Sequence, residues 1–160
     1  MFHIGDLIAH PMHGAGVIES IVTKKINGSQ RDYYVLKLPV GDMVVMVPVS
    51  GCEDIGVRSI ISRSEAEKLF SAFSEIEISM TQNWNKRYRE NMDKIKSGNL
   101  LDVASVVKGL MCRDSERGLS TSERKMLHSA KQILISELVI ATDMDYDGVE
   151  KRLCAALKEG

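Results

Sequence analysis

The sequence predicts an α+β fold: a small antiparallel sheet or barrel of about five strands, followed by a compact bundle of about five helices. Three observations predict it. Residues up to about 50 fall into short runs rich in β-branched and aromatic residues, separated by glycine turns. From residue 62 onward the apolar residues recur at helical spacing. The two patterns meet at VSGCEDIGVRSIIS, a segment with glycines on either side of an acidic turn.

The strand half begins with MFHIGDLIAH, loosely alternating and ending before Pro11. HGAGVIESIVTKKI follows and stops at Asn27-Gly28, a pair that readily takes positive φ and marks a hairpin. DYYVLKLPV is the next strand, Gly41-Asp42 the next turn, and MVVMVPV the strand after that. Pro39 and Pro48 belong at strand ends, edges or bulges, since neither donates to a ladder.

The helical half opens with SRSEAEKLFSAF, residues 62–73, and loosens through SEIEISMTQ. A second helix is predicted from about Asn83 to Lys96, stopping at Ser97-Gly98-Asn99. The third, LLDVASVVKGLMCRD, carries Val103, Val106, Val107, Leu110 and Met111 on one face. Ser120 and Glu123 in GLSTSERKML are spaced for a capping box at the start of the fourth. Behind them Leu127, Ala130, Ile133, Leu134 and Leu138 form a long apolar stripe. A fifth helix is expected from about Tyr146 to Leu157. None of these stripes can be buried alone, which calls for one bundle.

Composition narrows the function classes. The chain has 160 residues and a formal net charge of -1, but the charge is uneven. Residues 82–131 hold eleven basic and six acidic side chains, and residues 132–160 hold three and six. A basic island of this kind permits a nucleic-acid partner, although solvated helix faces account for it equally well. No run approaches the roughly 20 apolar residues of a membrane span, and the N-terminus lacks the apolar run of a signal peptide. Cys52, Cys112 and Cys154 are widely spaced and odd in number, which fits inert fillers in a cytosolic protein. His3, His10, His13 and His128 show no metal-ligand pattern, and HPMHGAG lacks the GK[ST] ending of a phosphate loop. No catalytic, metal or cofactor constellation emerges.

The stretch TQNWNKRYRENMDKIKSGN remains. Trp84, Tyr88, Met92 and Ile95 span about 80° of a helical wheel at about 100° per residue, the pattern of a core strip. Trp84 sits in the first turn beside Lys86, Arg87 and Arg89, so its indole can instead stack or wedge at a distorted base step while the cations hold phosphates. Arg113, Arg117, Arg124 and Lys125 form a second basic group around the start of the fourth helix, whose N-terminus favours an anion. The wheel alone leaves both readings of Trp84 open.

These stretches resemble the CarD/CdnL family of bacterial transcription regulators. The resemblance runs through GDLIAHPMHGAGVIESI, DYYVLKLP, VPVSGCEDIGVR, NWNKRYRENMDKIKSGNL and RDSERGLSTSERKMLHSAKQIL, and it weakens only near the C-terminal end. It implies a Tudor-like or SH3-like β-barrel over residues 1–55 that binds the RNA polymerase β subunit. A short connection at 56–61 then leads to a helical domain over 62–160 that meets promoter DNA at the upstream edge of the melted region. It implies no catalytic activity and no cofactor, stabilisation of the open promoter complex, commonly at ribosomal RNA promoters, and a protein monomeric in that complex. The expected location is the cytoplasm, at the nucleoid through polymerase. By position, Trp84 matches the family's minor-groove wedge; Lys86, Arg87 and Arg89 match the basic surface around it; Arg124 and Lys125 match a second patch. Lys24 and Met46 fall where some members carry polymerase-contacting arginines, with Lys25 and Lys37 nearby as substitutes for the lost charge. The competing expectation is a non-catalytic two-domain adaptor that binds a protein partner and does not contact DNA.

Overall fold

A computed structural model describes residues 1–78 and 81–159 of the chain. The expected loosening at 74–82 therefore includes two residues, 79 and 80, outside the described ones. The strands are β1 Leu7–His10, β2 Gly14–Ile26, β3 Ser29–Leu38, β4 Met43–Pro48 and β5 Arg58–Ser59. They form one antiparallel sheet in the order β4-β3-β2-β1-β5. Asn27 and Gly28 both take positive φ, 52° and 79°, and join β2 to β3 in a two-residue loop. That turn fixes the register Ile26↔Ser29 and Lys24↔Arg31, which shifts by one residue between Ile18 and Ser20. Pro48 ends the edge strand β4.

The sheet does not close, so the expected Tudor-like or SH3-like barrel is not what the sequence builds. Closure needs tilted, staggered edge strands that meet each other. Here β4 and β5 occupy opposite edges. β5 has two residues, and both pair with β1. The segment between β4 and β5 runs as turns and drops Cys52 and Val57 into the core of the sheet beside Ile8, Ile18, Tyr34, Leu36, Leu38 and Val47. β5 also lies within the stretch 56–61 that reads in sequence as a plain connection.

Five helices follow: α1 Arg63–Phe73, α2 Trp84–Lys96, α3 Leu100–Arg117, α4 Thr121–Thr142 and α5 Tyr146–Glu159. Ser62 and Glu65 complete a reciprocal capping box on α1. Asn83 caps α2, accepting from the Lys86 N–H at 3.0 Å, and Asn99 caps α3. The predicted stripe of α4 is buried at Ala130, Ile133, Leu134 and Leu138, with Leu127 packed at its margin. It meets Val103, Val106, Val107 and Leu110 of α3 in the larger core.

The two halves are joined through α4. Gly14 opens β2 with φ of 95°, and a Cβ there would overlap the Ser136 hydroxyl. The Ala15 N–H donates to Ser136 Oγ at 2.9 Å, and that hydroxyl donates to the Ile133 carbonyl at 2.9 Å. The next residue, Glu137, is 1% exposed. It accepts two bonds from the Arg58 guanidinium, at 2.7 and 3.0 Å, and one from the Ile61 N–H at 2.8 Å. Arg58 Nε also donates to the Gly98 carbonyl at 3.2 Å. A strand residue, a helix carboxylate and the α2–α3 turn are thus bound into one knot.

Candidate nucleic-acid interface

Trp84 is the first residue of α2 and is 42% exposed, so it is not a core residue. Its ring stacks on Tyr88, one turn on, with centroids 5.3 Å apart and planes 21° from parallel. Its Nε1–H points to Ser120 Oγ at 3.4 Å. Ser120 is the N-cap of α4, so the N-terminal ends of α2 and α4 meet under the indole. Both ends present positive dipole and unpaired N–H groups, which suits an approaching anion.

The face that α2 buries differs from the one its wheel predicts. Arg87, Asn91 and Ile95 are the buried residues, while Tyr88 and Met92 are half-buried at the margin. Taking about 100° per residue, the buried stripe is rotated by about 60° around the helix. The rotated stripe still passes through the angular position of Trp84, which is exposed because it stands at the first residue of α2. The rotation removes Arg87 from the surface. Arg87 is 2% exposed, against the expectation of a basic surface residue. Its Nε donates to Glu123 Oε2 at 3.0 Å and its Nη2 to Oε1 at 3.4 Å. Its Nη1 donates to the carbonyls of Thr81 and Gln82 at 3.1 and 3.0 Å.

Glu123 departs from expectation in the same way. Ser120 Oγ accepts from the Glu123 N–H, the first half of the expected capping box. The reciprocal half is not made, because the Glu123 carboxylate is taken by Arg87, with Arg113 Nε 4.0 Å away. Burial works to raise this carboxyl, but the bond and charge of Arg87, then Arg113 and Ser120, outweigh it and hold the group below its ordinary range.

Lys86, Arg89, Arg124 and Lys125 are all exposed. Arg124 Nε donates to the Leu119 carbonyl at 3.2 Å, which ties the base of its side chain to the turn before α4. The first turns of α2 and α4, which meet at Trp84 and Ser120, thus also expose cations. Ser120 is the neighbour that sequence reading missed. It was legible as a cap but not as the indole's partner, which lies 36 residues away.

On the sheet, strand register sorts the other predicted contacts. Lys24 pairs with Arg31, Val35 with Met46 and Lys37 with Val44. The alternation of β3 puts Arg31, Val35 and Lys37 on the face opposite the buried Tyr34, Leu36 and Leu38. Lys24, Met46 and Lys37 thus share the outer face, together with Arg31 and Val44, which sequence reading did not single out. Lys25 pairs with Gln30 and belongs to the other face, near the hairpin tip. Arg31 was legible in principle, because a two-residue loop at Asn27-Gly28 sets it opposite Lys24.

Among the described residues, no helix is long and apolar enough to cross a membrane. Beside an open sheet with Lys24, Arg31 and Lys37 on its outer face stands a helical bundle that exposes the indole of Trp84. Residues 2–61 match the family model described as the CarD-like/TRCF RID domain, and residues 68–154 match that of the CarD C-terminal domain. The chain belongs to the CarD/CdnL family of RNA polymerase-binding transcription regulators, which are non-catalytic. It is similar to the putative transcription factor YdeB of Bacillus subtilis (strain 168), with 39% identity over 140 residues, covering 88% of this chain and 92% of that one.

Proposed function

We propose that this regulator binds the RNA polymerase β subunit with its sheet and promoter DNA with the Trp84 face, stabilising the open complex at the upstream edge of the melted region. The observation that carries the DNA half is the exposed indole at the junction of two helix N-termini, whose first turns also expose Lys86 and Arg89 on α2 and Arg124 and Lys125 on α4. Cations of this kind supply affinity without sequence information, and a flat apolar ring favours an unstacked step. Arg87 drops out as a direct contact and becomes part of the scaffold.

The polymerase half is supported by the outer face of the sheet, which carries Lys37, Val44 and Met46 on β3 and the edge strand β4, and Lys24 and Arg31 further along, towards the β2–β3 hairpin. Met46 offers apolar contact where some members carry a cation, and Lys24 offers charge without the bidentate fork of arginine. Lys25, on the opposite face, contributes at the hairpin tip.

The two halves divide the work. Binding to polymerase raises the local concentration of the DNA face, so that face needs only weak intrinsic affinity. It shifts promoters towards the open state only to the extent that it contacts that state better than the closed one. Location at the nucleoid follows from polymerase binding, and action at ribosomal RNA promoters is part of the same reading. The test is a footprint on promoter DNA with polymerase present. Added protection at the upstream edge of the melted region, lost in Trp84→Ala, is the expected result. Polymerase binding with an unchanged footprint would favour the adaptor reading instead.

A further inference from the structure

We propose that Glu123 is a positioning residue which, through Ser120 and Arg87, holds the Trp84 indole in the pose offered to DNA. The proposal rests on the reading of Trp84 as the DNA-facing group and adds what fixes it. Trp84 stands at the first position of its helix with no turn before it to pack against, and its ring is exposed on one side. Left to itself, a first-turn side chain of this kind frays with the helix end. Here three contacts converge on it, and two of them lead to one carboxylate.

The first route runs through the indole nitrogen. Trp84 Nε1–H meets Ser120 Oγ at 3.4 Å. Ser120 Oγ in turn lies 3.3 Å from Glu123 Oε1 and donates to it, while accepting from the Glu123 backbone N–H at 3.2 Å. Glu123 thereby orients the hydroxyl so that a lone pair faces the indole N–H. The second route runs through the backbone. Glu123 holds Arg87 by both carboxylate oxygens, and Arg87 Nη1 grips the Thr81 and Gln82 carbonyls. Those two residues deliver the chain to the cap Asn83 and so to Trp84 itself. The third contact, the stack on Tyr88, is independent of Glu123.

Stability alone is a weak reason for this pair. A buried ion pair replaced by apolar side chains of similar volume is often neutral or stabilising, and such pairs are best accounted for where they fix one geometry among several. The carboxylate reaches three elements, α2 through Arg87, α3 through Arg113 and α4 through its own backbone, at the point where the indole needs a fixed floor.

The chain has one tryptophan, so selectively excited fluorescence of the free protein reads Trp84 alone. Two variants test the proposal: Glu123→Gln, and, should the first not fold, the double variant Arg87→Met/Glu123→Leu, which removes both members of the buried pair and leaves only the part-exposed Arg113 without its neighbour. The control is Arg58→Met/Glu137→Leu, which removes the other buried pair at a distance from the indole. In folded Glu123 variants the indole rotates faster and acrylamide quenches it more strongly, whereas the control keeps wild-type values. Open-complex lifetime falls by about threefold to tenfold, the weight of about one lost buried hydrogen bond. Unchanged anisotropy and quenching in the folded Glu123 variants would overturn the proposal, as would an equal change in the control. If Trp84→Ala itself left the lifetime unaltered, the wedge reading alone would fail, and the fluorescence of the free protein would still decide the positioning.

Discussion

Arg58→Ala removes one partner from the most enclosed charged side chain among the described residues. Glu137 is 1% exposed and loses both guanidinium bonds, 2.7 and 3.0 Å long, while keeping the Ile61 N–H at 2.8 Å. Breaking a fully buried pair by deleting one member costs about 3–5 kcal/mol. Two features reduce that. The Arg58 side chain is 34% exposed, so water already screens the attraction, and water enters the space it vacates. The remaining N–H bond also holds part of the carboxylate's charge. A cost of about 2–3 kcal/mol remains, a large share of the roughly 5–15 kcal/mol that holds a domain folded. For a chain of this size that is a fall in Tm of about 4–12 °C. Urea unfolding followed by circular dichroism measures it. Because the knot joins sheet to bundle, the transition should also broaden or split as the halves begin to unfold separately. Arg58→Met/Glu137→Leu, which leaves no charge behind, should recover most of the loss. An Arg58→Ala protein within about 0.5 kcal/mol of wild type, with one sharp transition, would refute the reasoning.

Two further predictions concern pH and salt. Burial, then the neighbouring His13, lowers the pKa of His10 from 6.5 to about 4, and its Nδ1 accepts the Met12 N–H at 3.0 Å, as the neutral ring requires. The folded state therefore binds this proton less readily than the unfolded one, and the His10 contribution is present above pH 6.5 and is lost as pH falls towards about 4. His10→Gln should flatten the fall of Tm in that window, and an identical profile would contradict the assignment. The Glu123 contribution is distinguishable, because its depressed carboxyl is lost only as pH drops below the ordinary carboxylate range. Charge removal at Lys86, Arg89, Arg124 or Lys125 should each lower the salt slope of DNA affinity by about 0.9 if that residue holds a phosphate of duplex DNA. The same change at Lys96, on the last turn of α2, should leave the slope alone.

The sequence was most informative where local chemistry decides local structure. Asn27-Gly28 dictates a two-residue loop, and with it the pairing of Lys24 with Arg31. Ser62, Asn83, Asn99 and Ser120 mark their helix starts because their side chains take backbone N–H groups that would otherwise lack partners. It was least informative where distant residues decide. Alternation along β2 and β3 tells which face is buried, but nothing in it says whether β4 and β5 meet, and the two residues of β5 are too few to show a period. On α2 the wheel treats a cation as outward-facing. Arg87 is inward because a carboxylate 36 residues further along waits for it. The burial of Arg87 is therefore out of reach of any local window, whereas the exposure of Trp84 follows from its place at the first residue of α2.

If Trp84 acts on the melted promoter, it shows in the half-life of open complexes challenged with competitor DNA, with polymerase saturated by wild-type protein or by folded Trp84→Ala. Wild type should lengthen the half-life, and Trp84→Ala should lose most of the gain while still binding polymerase. The single indole removed, worth about 1–3 kcal/mol if it stacks on a base, corresponds to about fivefold or more in lifetime. Equal half-lives for the two proteins, at equal occupancy of polymerase, would contradict it.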